Sequence, residues 1–161
     1  VSDYGSQFLR FGENGPESVF EIQYSNQSNW YDWGCAHCSE GNYAIIMNGP
    51  RGWSGPEYAQ GWSFNVPTAE FYNSFEEGDT RRDATILDIE AFAAATGANY
   101  TEGYDHTGYF NNKYIPRAGE SGGQTELNYL TNFRIIRYSD VLLMAAEAYN
   151  RGGLDLSLIH I

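Results

Sequence analysis

The segment YSDVLLMAAEAYNR, residues 138–151, constrains the fold of this chain more than any other. Ser139 is placed to cap a helix, Asp140 lies in the first turn, and Gly152 and Gly153 offer a left-handed end. Apolar side chains recur here at the spacing of one helix face: Val141, Leu142, Ala145, Ala148 and Tyr149. An amphipathic helix needs other elements to cover that face, and no helix of similar quality lies nearby upstream. We therefore expect the partners of this helix to lie outside the chain.

Composition narrows the class of protein. The chain has 161 residues, of which 42% are hydrophobic and 19% charged, so it can build a core and is not disordered throughout. Its formal net charge of −12, with only nine Lys plus Arg, argues against nucleic acid and anionic membrane surfaces as partners. No run approaches the roughly 20 apolar residues that span a bilayer.

The rest of the chain predicts short elements between long loops. A strand of four to seven residues is expected within ESVFEIQYS (residues 17–25). An irregular stretch follows over residues 26–61, in which YAIIMN (residues 43–48) reads as a short strand. Pro67 and Thr68 begin a short helix that Gly78 ends. ATILDIEAFAAATG, residues 84–97, fits either a strand or a helical turn. The sequence therefore predicts an α+β, loop-rich fold with a few short helices and strands.

Four segments, in this order, resemble the SusD/RagB family of outer-membrane nutrient-binding lipoproteins. They are PESVFEIQYS (residues 16–25), GWSFNVPTAEFYNSFEEGDTRRDATI (residues 61–86), GYFNNKYIP (residues 108–116) and RIIRYSDVLLMAAEAYN (residues 134–150). Each is weak alone, but their order and spacing together are specific. Between these segments, and above all in residues 26–60, the sequence looks specific to this protein and does not carry the resemblance.

The resemblance implies a mostly α-helical protein whose tetratricopeptide-like helices are largely absent here. Residues 1–155 would be a partial C-terminal region, truncated at both ends. The tail LSLIHI, residues 156–161, back-translates as CTG TCT CTT ATA CAC ATC, which resembles the transposon end used in sequencing libraries. We expect those six residues to derive from an adapter; the alternative is a natural apolar C-terminus.

The resemblance also implies a function. The intact protein would bind oligosaccharides at the outer surface of the outer membrane and pass them to a SusC-like TonB-dependent transporter. It would not be an enzyme, and it would attach to the membrane only through a lipid anchor that this chain lacks. The alternative is a fragment of an extracellular glycan-cleaving enzyme or of its carbohydrate-binding module. No cofactor is implied; scattered Asp and Asn residues leave calcium possible, although no EF-hand-like loop is present.

Aromatic and polar residues crowd the irregular stretch, as a sugar-binding surface requires. Sugar rings stack their C–H faces on aromatic side chains, while their hydroxyls pair with carboxylates, amides and guanidinium groups. The candidate glycan-binding residues are Trp30, Tyr31, Asp32, Trp33, Arg51, Trp53 and Tyr58. For each aromatic residue the alternative is that it pins a long loop to the body of the protein.

Cys35 and Cys38 have the C-x-x-C spacing of a redox pair or of half a zinc site. A zinc site needs more ligands than this segment offers, and no strand followed by a helix suggests a thioredoxin motif. A disulfide or two unlinked thiols are the leading interpretation, and an exported location favours the disulfide. Metal binding and redox chemistry remain the alternatives, and we predict no metal site.

Two pairs of neighbouring carboxylates raise the question of glycosidase chemistry, which needs an acid and a base on either side of a sugar. They are Glu76 with Glu77 and Asp79 with Asp83. Because they lie beside Arg81 and Arg82, we expect them to be solvated groups and ion-pair partners. Asp140 and Glu147 are likewise expected to form caps or pairs with Arg137 or Arg151.

Overall fold

The computed structural model describes residues 3–27, 38–122 and 128–153. Its helices are α1 (Ala44–Met47), α2 (Ala69–Asn73), α3 (Arg81–Thr85), α4 (Ile89–Thr96) and α5 (Tyr138–Arg151), preceded by 3-10 turns at Gly5–Phe8 and Arg10–Gly12. Its strands are β1 (Ser18–Ile22), β2 (Arg51–Ser54), β3 (Ile86–Asp88), β4 (Asn99–Thr101), β5 (Tyr109–Asn111) and β6 (Phe133–Arg137). Most of these elements have three to five residues, so the α+β, loop-rich class is confirmed. None of the helices that the structure describes has the length and apolar character needed to cross a bilayer.

The strands pair as three separate antiparallel ribbons within the described part of the chain. β1 pairs with β6, β2 with β4, and β3 with β5. In the first ribbon Glu21 lies opposite Arg134, which joins the N-terminal strand to the strand that leads into α5. In the second, Arg51 lies opposite Thr101. Each ribbon brings together segments distant in sequence.

Two hydrophobic clusters hold the ribbons together. The first consists of Tyr58, Leu87, Ile89, Phe110 and Ile115, with Trp53, Val66, Phe92 and Tyr100 packed against it. The second consists of Ile45, Ile46 and Tyr129, with Tyr43, Trp62 and Tyr114 beside it. The strands and helices are too short to stand alone, so their stability comes from burial in these clusters.

Helix α5 has the predicted extent, but its cap differs from the prediction. Ser139 does not cap it; Arg137 is the N-cap residue, and its backbone N–H donates to the Asp140 carboxylate at 3.0 Å. The guanidinium of Arg137 also pairs with that carboxylate, so the expected Asp140 pair is confirmed. At the other end Gly153 is left-handed and Gly152 is not.

The strand expected in residues 43–48 is wrong. Residues 44–47 form α1, in which the Asn42 side chain accepts a hydrogen bond from the Ala44 N–H and Asn48 Nδ2 donates to the Ala44 carbonyl. Ile45 and Ile46 are both fully buried against Tyr129, a contact that this short apolar run does not reveal.

Two further predictions are refined by the structure. Thr68 starts α2 as expected, since its Oγ1 accepts from the Phe71 N–H at 3.2 Å, but the helix ends at Asn73, well before Gly78. Residues 84–97, which fitted either a strand or a helical turn, contain both: β3 is followed directly by α4. Asp88 marks the change, because its side chain caps α4 by accepting from the Ala91 N–H.

Candidate functional site

The predicted glycan-binding residues fall into three groups. Trp30, Tyr31, Asp32 and Trp33 lie outside the described residues. Tyr58 is buried in the core and the partly exposed Trp53 packs against it, whereas Arg51 lies at the surface.

Tyr58 is 5% exposed, so its ring offers almost no face for a sugar to stack on. The ring meets Trp53 and Phe92 edge to face, and its hydroxyl donates to Asn112 Oδ1 at 3.2 Å. Burial raises the pKa of Tyr58 to about 12. Trp53 packs against the same cluster. The buried Tyr58 therefore has the alternative role of pinning the loop to the body, while Trp53 is partly exposed and its predicted role in binding stays a prediction.

Arg51 is fixed in place by its neighbours at the start of β2. Its Nε donates to the Trp62 carbonyl at 2.7 Å, and its backbone N–H donates to Ser63 Oγ at 3.1 Å. The guanidinium lies over the Phe64 ring, 5.5 Å from the centroid. Because β2 pairs with β4, the segment after Thr101 lies beside Arg51.

A surface cleft of about 430 Å³ opens at this point. We call it the Arg51 cleft; it is lined by Arg51, Trp62, Ser63, Phe64, Glu102, Gly103 and Tyr104. Tyr104 is 91% exposed and Phe64 51% exposed. Exposed rings beside an arginine and a carboxylate are the groups that carbohydrate recognition uses.

The backbone around Phe64 is held in an unusual conformation. Ser63 and Asn65, on either side of it, have φ values of 58° and 52°, in the left-handed region that non-glycine residues rarely adopt. Backbone hydrogen bonds from Ser63 to Gly49 and from Phe64 to Met47, both 2.9 Å, hold this conformation. Such residues persist only where surrounding contacts determine them, and they cluster at functional sites. The Phe64 ring is therefore presented by a fixed backbone.

Arg51 also differs electrostatically from the other arginines. Seven of them form ion pairs: Arg10–Glu13, Arg81–Asp79, Arg82–Asp83, Arg117–Glu57, Arg134–Glu21, Arg137–Asp140 and Arg151–Glu147. Within residues 3–27, 38–122 and 128–153, Arg51 is the one arginine without such a pair, and its Nη atoms make no hydrogen bond there. Glu102 likewise has no ion pair or hydrogen bond in those ranges. Both charged groups are thus available to a ligand.

The carboxylates considered for glycosidase chemistry have the predicted structural role. Asp79 pairs with Arg81 and Asp83 with Arg82, which confirms the expectation for these four residues. Hydrogen bonds from Arg81 lower the pKa of Asp79 to about 2. A carboxylate ionised to that degree is a poor general acid near neutral pH.

Cys38 is disulfide-bonded. Its predicted partner, Cys35, lies outside the described residues, so the pairing stays a prediction. Among the residues that the structure describes, no group of three or more His, Cys, Asp or Glu side chains is arranged to hold a metal ion.

Of the residues that line the Arg51 cleft, the sequence analysis selected Arg51 but not Phe64, Glu102 or Tyr104. These residues are distant from Arg51 along the chain, and only the β2–β4 pairing and the turn at Ser63 bring them to it. One local signal was present, since Tyr104 lies in the turn-forming sequence EGYD, where an exposed aromatic residue is unusual.

Comparisons with known proteins agree with this architecture. The model of the SusD family matches residues 16–155. SusD-like protein P2 of Formosa agariphila is 28% identical over 142 residues, which are 83% of this chain and 26% of that protein. Surface glycan-binding protein A from Bacteroides thetaiotaomicron, solved in complex with laminarihexaose, is 34% identical with a TM-score of 0.83; the match covers 96% of this chain and 36% of that one. A laminarin binding SusD-like protein is 39% identical with a TM-score of 0.80, over 92% of this chain and 34% of that one.

The chain therefore spans about a quarter to a third of the length of these relatives. The family model nevertheless matches most of the chain, and it includes all four segments that carry the resemblance. The fold positions those segments as in the solved relatives, with TM-scores of 0.80 and above in the two structures compared. The chain belongs to the SusD family.

Proposed function

We propose that this chain is part of a surface glycan-binding protein and that the Arg51 cleft takes part in binding. The observation that carries the proposal is the likeness to two solved relatives, one holding laminarihexaose and one named for laminarin binding. Laminarihexaose is therefore the first ligand to test.

The chemistry of the cleft supports the proposal. Phe64 and Tyr104 offer exposed rings to the apolar face of a sugar, and Arg51 and Glu102 offer a donor and an acceptor to its hydroxyls. The fixed backbone around Phe64 lowers the entropy that binding would otherwise lose. Four further residues of the irregular stretch stay proposed contributors on sequence grounds: Trp30, Tyr31, Asp32 and Trp33.

The cellular location and the partner of the intact protein are proposed from family membership. The intact protein would act without catalysis, attached by a lipid anchor to the outer surface of the outer membrane. It would deliver oligosaccharides to a SusC-like TonB-dependent transporter. Co-purification of such a transporter with the intact protein tests this setting.

Calorimetry on the intact protein that contains this chain tests the site. We expect Phe64→Ala and Tyr104→Ala each to weaken laminarihexaose binding about fivefold, because a stacked ring contributes on the order of 1 kcal/mol. Phe71→Ala is the matched control, since Phe71 is an exposed phenylalanine outside the cleft. Unchanged affinity in both cleft variants would exclude the cleft, and no affinity for any oligosaccharide would contradict the function.

A further inference from the structure

Two opposite charges line the Arg51 cleft, and together they bear on which oligosaccharides fit there. Arg51 contributes a positive charge and Glu102 a negative one, and the other lining residues are uncharged. Neither group is neutralised by an ion pair within the described residues. The cleft therefore has no net charge, in a chain whose formal net charge is −12.

Strand pairing and close packing constrain the backbone that carries the two charged residues. Arg51 lies opposite Thr101 in the β2–β4 pair, and Glu102 follows directly. The next residue, Gly103, lies so close to Ser63 that a Cβ added to it would be 2.9 Å from the Ser63 Cβ. This close approach joins the Ser63 turn to the Glu102 segment and closes one side of the cleft.

We propose that the Arg51 cleft selects uncharged oligosaccharides, with Arg51 donating to and Glu102 accepting from neighbouring hydroxyls; this inference rests on the proposed function. The Nε–H of Arg51 is already engaged by the Trp62 carbonyl, which leaves the two Nη groups for a ligand. A hydroxyl both donates and accepts, so adjacent hydroxyls satisfy a guanidinium and a carboxylate at once. The guanidinium over Phe64 also places these donors beside a ring on which a sugar can stack.

An acidic sugar fits the same cleft poorly. Its carboxylate or sulfate group would pair with Arg51 inside a cleft that Glu102 also lines, and like charges placed together in an interface oppose binding. The charge of the whole chain adds repulsion at longer range, although salt screens that part beyond about 8–10 Å. Glu102 is therefore the residue that rejects acidic glycans.

The test compares two hexasaccharides by calorimetry on the intact protein at physiological salt. Laminarihexaose is the uncharged probe, and a hexamer of mannuronic acid, with a carboxylate on every sugar, is the acidic probe. We expect wild type to bind laminarihexaose at least about tenfold more tightly than the acidic hexamer. Glu102→Gln should improve binding of the acidic hexamer about tenfold and weaken laminarihexaose binding about threefold, because a neutral amide accepts a hydrogen bond less strongly than a carboxylate. Arg51→Gln should weaken laminarihexaose binding about tenfold.

Glu77→Gln is the control for net charge, because Glu77 is an exposed glutamate that does not line the cleft. Selection by the cleft is overturned if Glu77→Gln helps the acidic hexamer as much as Glu102→Gln does. It is also overturned if wild type binds both hexamers equally, or if Glu102→Gln leaves their ratio unchanged; glycan binding itself stands in these cases. If neither hexamer nor any other oligosaccharide binds wild type, the proposed function fails as well.

Discussion

At the scale of single residues, Glu21 and Arg134 form a buried ion pair that joins β1 to β6. Glu21 Oε2 accepts hydrogen bonds from the Asn14 N–H and from Asn132 Nδ2, while Arg134 donates to the carbonyls of Asn132 and Leu9. Glu21 Oε1 and Arg134 Nε lie 3.5 Å apart, too poorly aligned for a hydrogen bond. The pair is thus embedded in a polar network that ties the N-terminal turns to the ribbon.

Breaking this pair should destabilise the protein strongly. Glu21→Gln removes the carboxylate that forms the ion pair with the buried Arg134 and leaves only the more distant Glu13 charge near it, and we expect the free energy of unfolding to fall by about 3 kcal/mol. Urea titration measures the change. Glu147→Gln is the control, because the Glu147–Arg151 pair is exposed and contributes little. Similar effects of the two substitutions would contradict the importance of burial.

The Asp140 carboxylate should make stability depend on pH. Its hydrogen bonds with Arg137 lower its pKa in the folded state, so it stabilises the fold at pH values above the unfolded pKa of about 3.9. That contribution is lost as the pH falls through the folded pKa. We expect Asp140→Asn to lower the melting temperature at pH 7, and the difference from wild type to shrink below about pH 4. A difference that stays constant down to pH 2 would contradict this linkage.

At the scale of elements, α4 is delimited by signals at both ends. Asp88 caps its N-terminus, and Gly97 ends it with φ of 74°. A Cβ added to Gly97 would have nothing within 4 Å, so only the backbone conformation opposes a side chain there. We expect Gly97→Ala to lower the free energy of unfolding by about 1 kcal/mol and Gly97→Asn to lower it less. Equal effects of alanine and asparagine in thermal melts would contradict the left-handed cap.

The β1–β6 ribbon shows where sequence reasoning succeeds and where it stops. The apolar residues predicted a strand of four to seven residues within residues 17–25, and β1 (Ser18–Ile22) confirms it, but they also suggest an apolar face turned inward. The structure has the reverse, with Glu21 and Arg134 buried and Phe20, Ile22 and Ile135 exposed. The charged residues turn inward because each finds its counterion across the ribbon. That pairing depends on a strand more than 100 residues away, so neither segment reveals it alone.

At the scale of the whole molecule, an apolar surface lies exposed on β1, β6 and α5. Val19, Phe20, Ile22, Phe133, Ile135, Val141, Leu143, Met144 and Tyr149 all contribute exposed side chains. Helix α5 has no buried residue among those described: on the predicted apolar face Leu142 and Ala145 are half-buried, while Val141, Ala148 and Tyr149 are exposed. Exposed apolar surfaces of this kind mark interaction sites or promote aggregation.

The chain expressed alone should therefore bind a hydrophobic dye such as ANS and self-associate. Leu143 is 58% exposed and Met144 54% exposed. We expect Leu143→Gln with Met144→Gln to reduce both properties without lowering the free energy of unfolding, because these side chains bury little surface. Dye fluorescence and sedimentation measure the outcome. A monomer that binds no dye, or a large loss of stability in the double variant, would contradict the exposure of this face.

The candidate site was only partly accessible to sequence reasoning. Arg51 was selected because it lies among aromatic and polar residues, whereas Tyr58, selected on the same grounds, is buried in the core and Trp53 packs against it. Composition does not distinguish an aromatic ring that pins a loop from one that meets a ligand. Phe64 and Tyr104 reach Arg51 only through the left-handed turn at Ser63 and the β2–β4 pairing, which are long-range features.

Hydrogen–deuterium exchange mass spectrometry of the intact protein, with and without laminarihexaose, tests the central claim most directly. If the Arg51 cleft binds glycan, ligand should slow exchange in the peptides that carry Arg51, Phe64 and Tyr104. The segment around α2 and α3 serves as an internal reference, because it lies outside the cleft and should exchange equally in both samples. Protection confined to other parts of the protein, with the three cleft peptides unchanged at saturating ligand, would contradict the account.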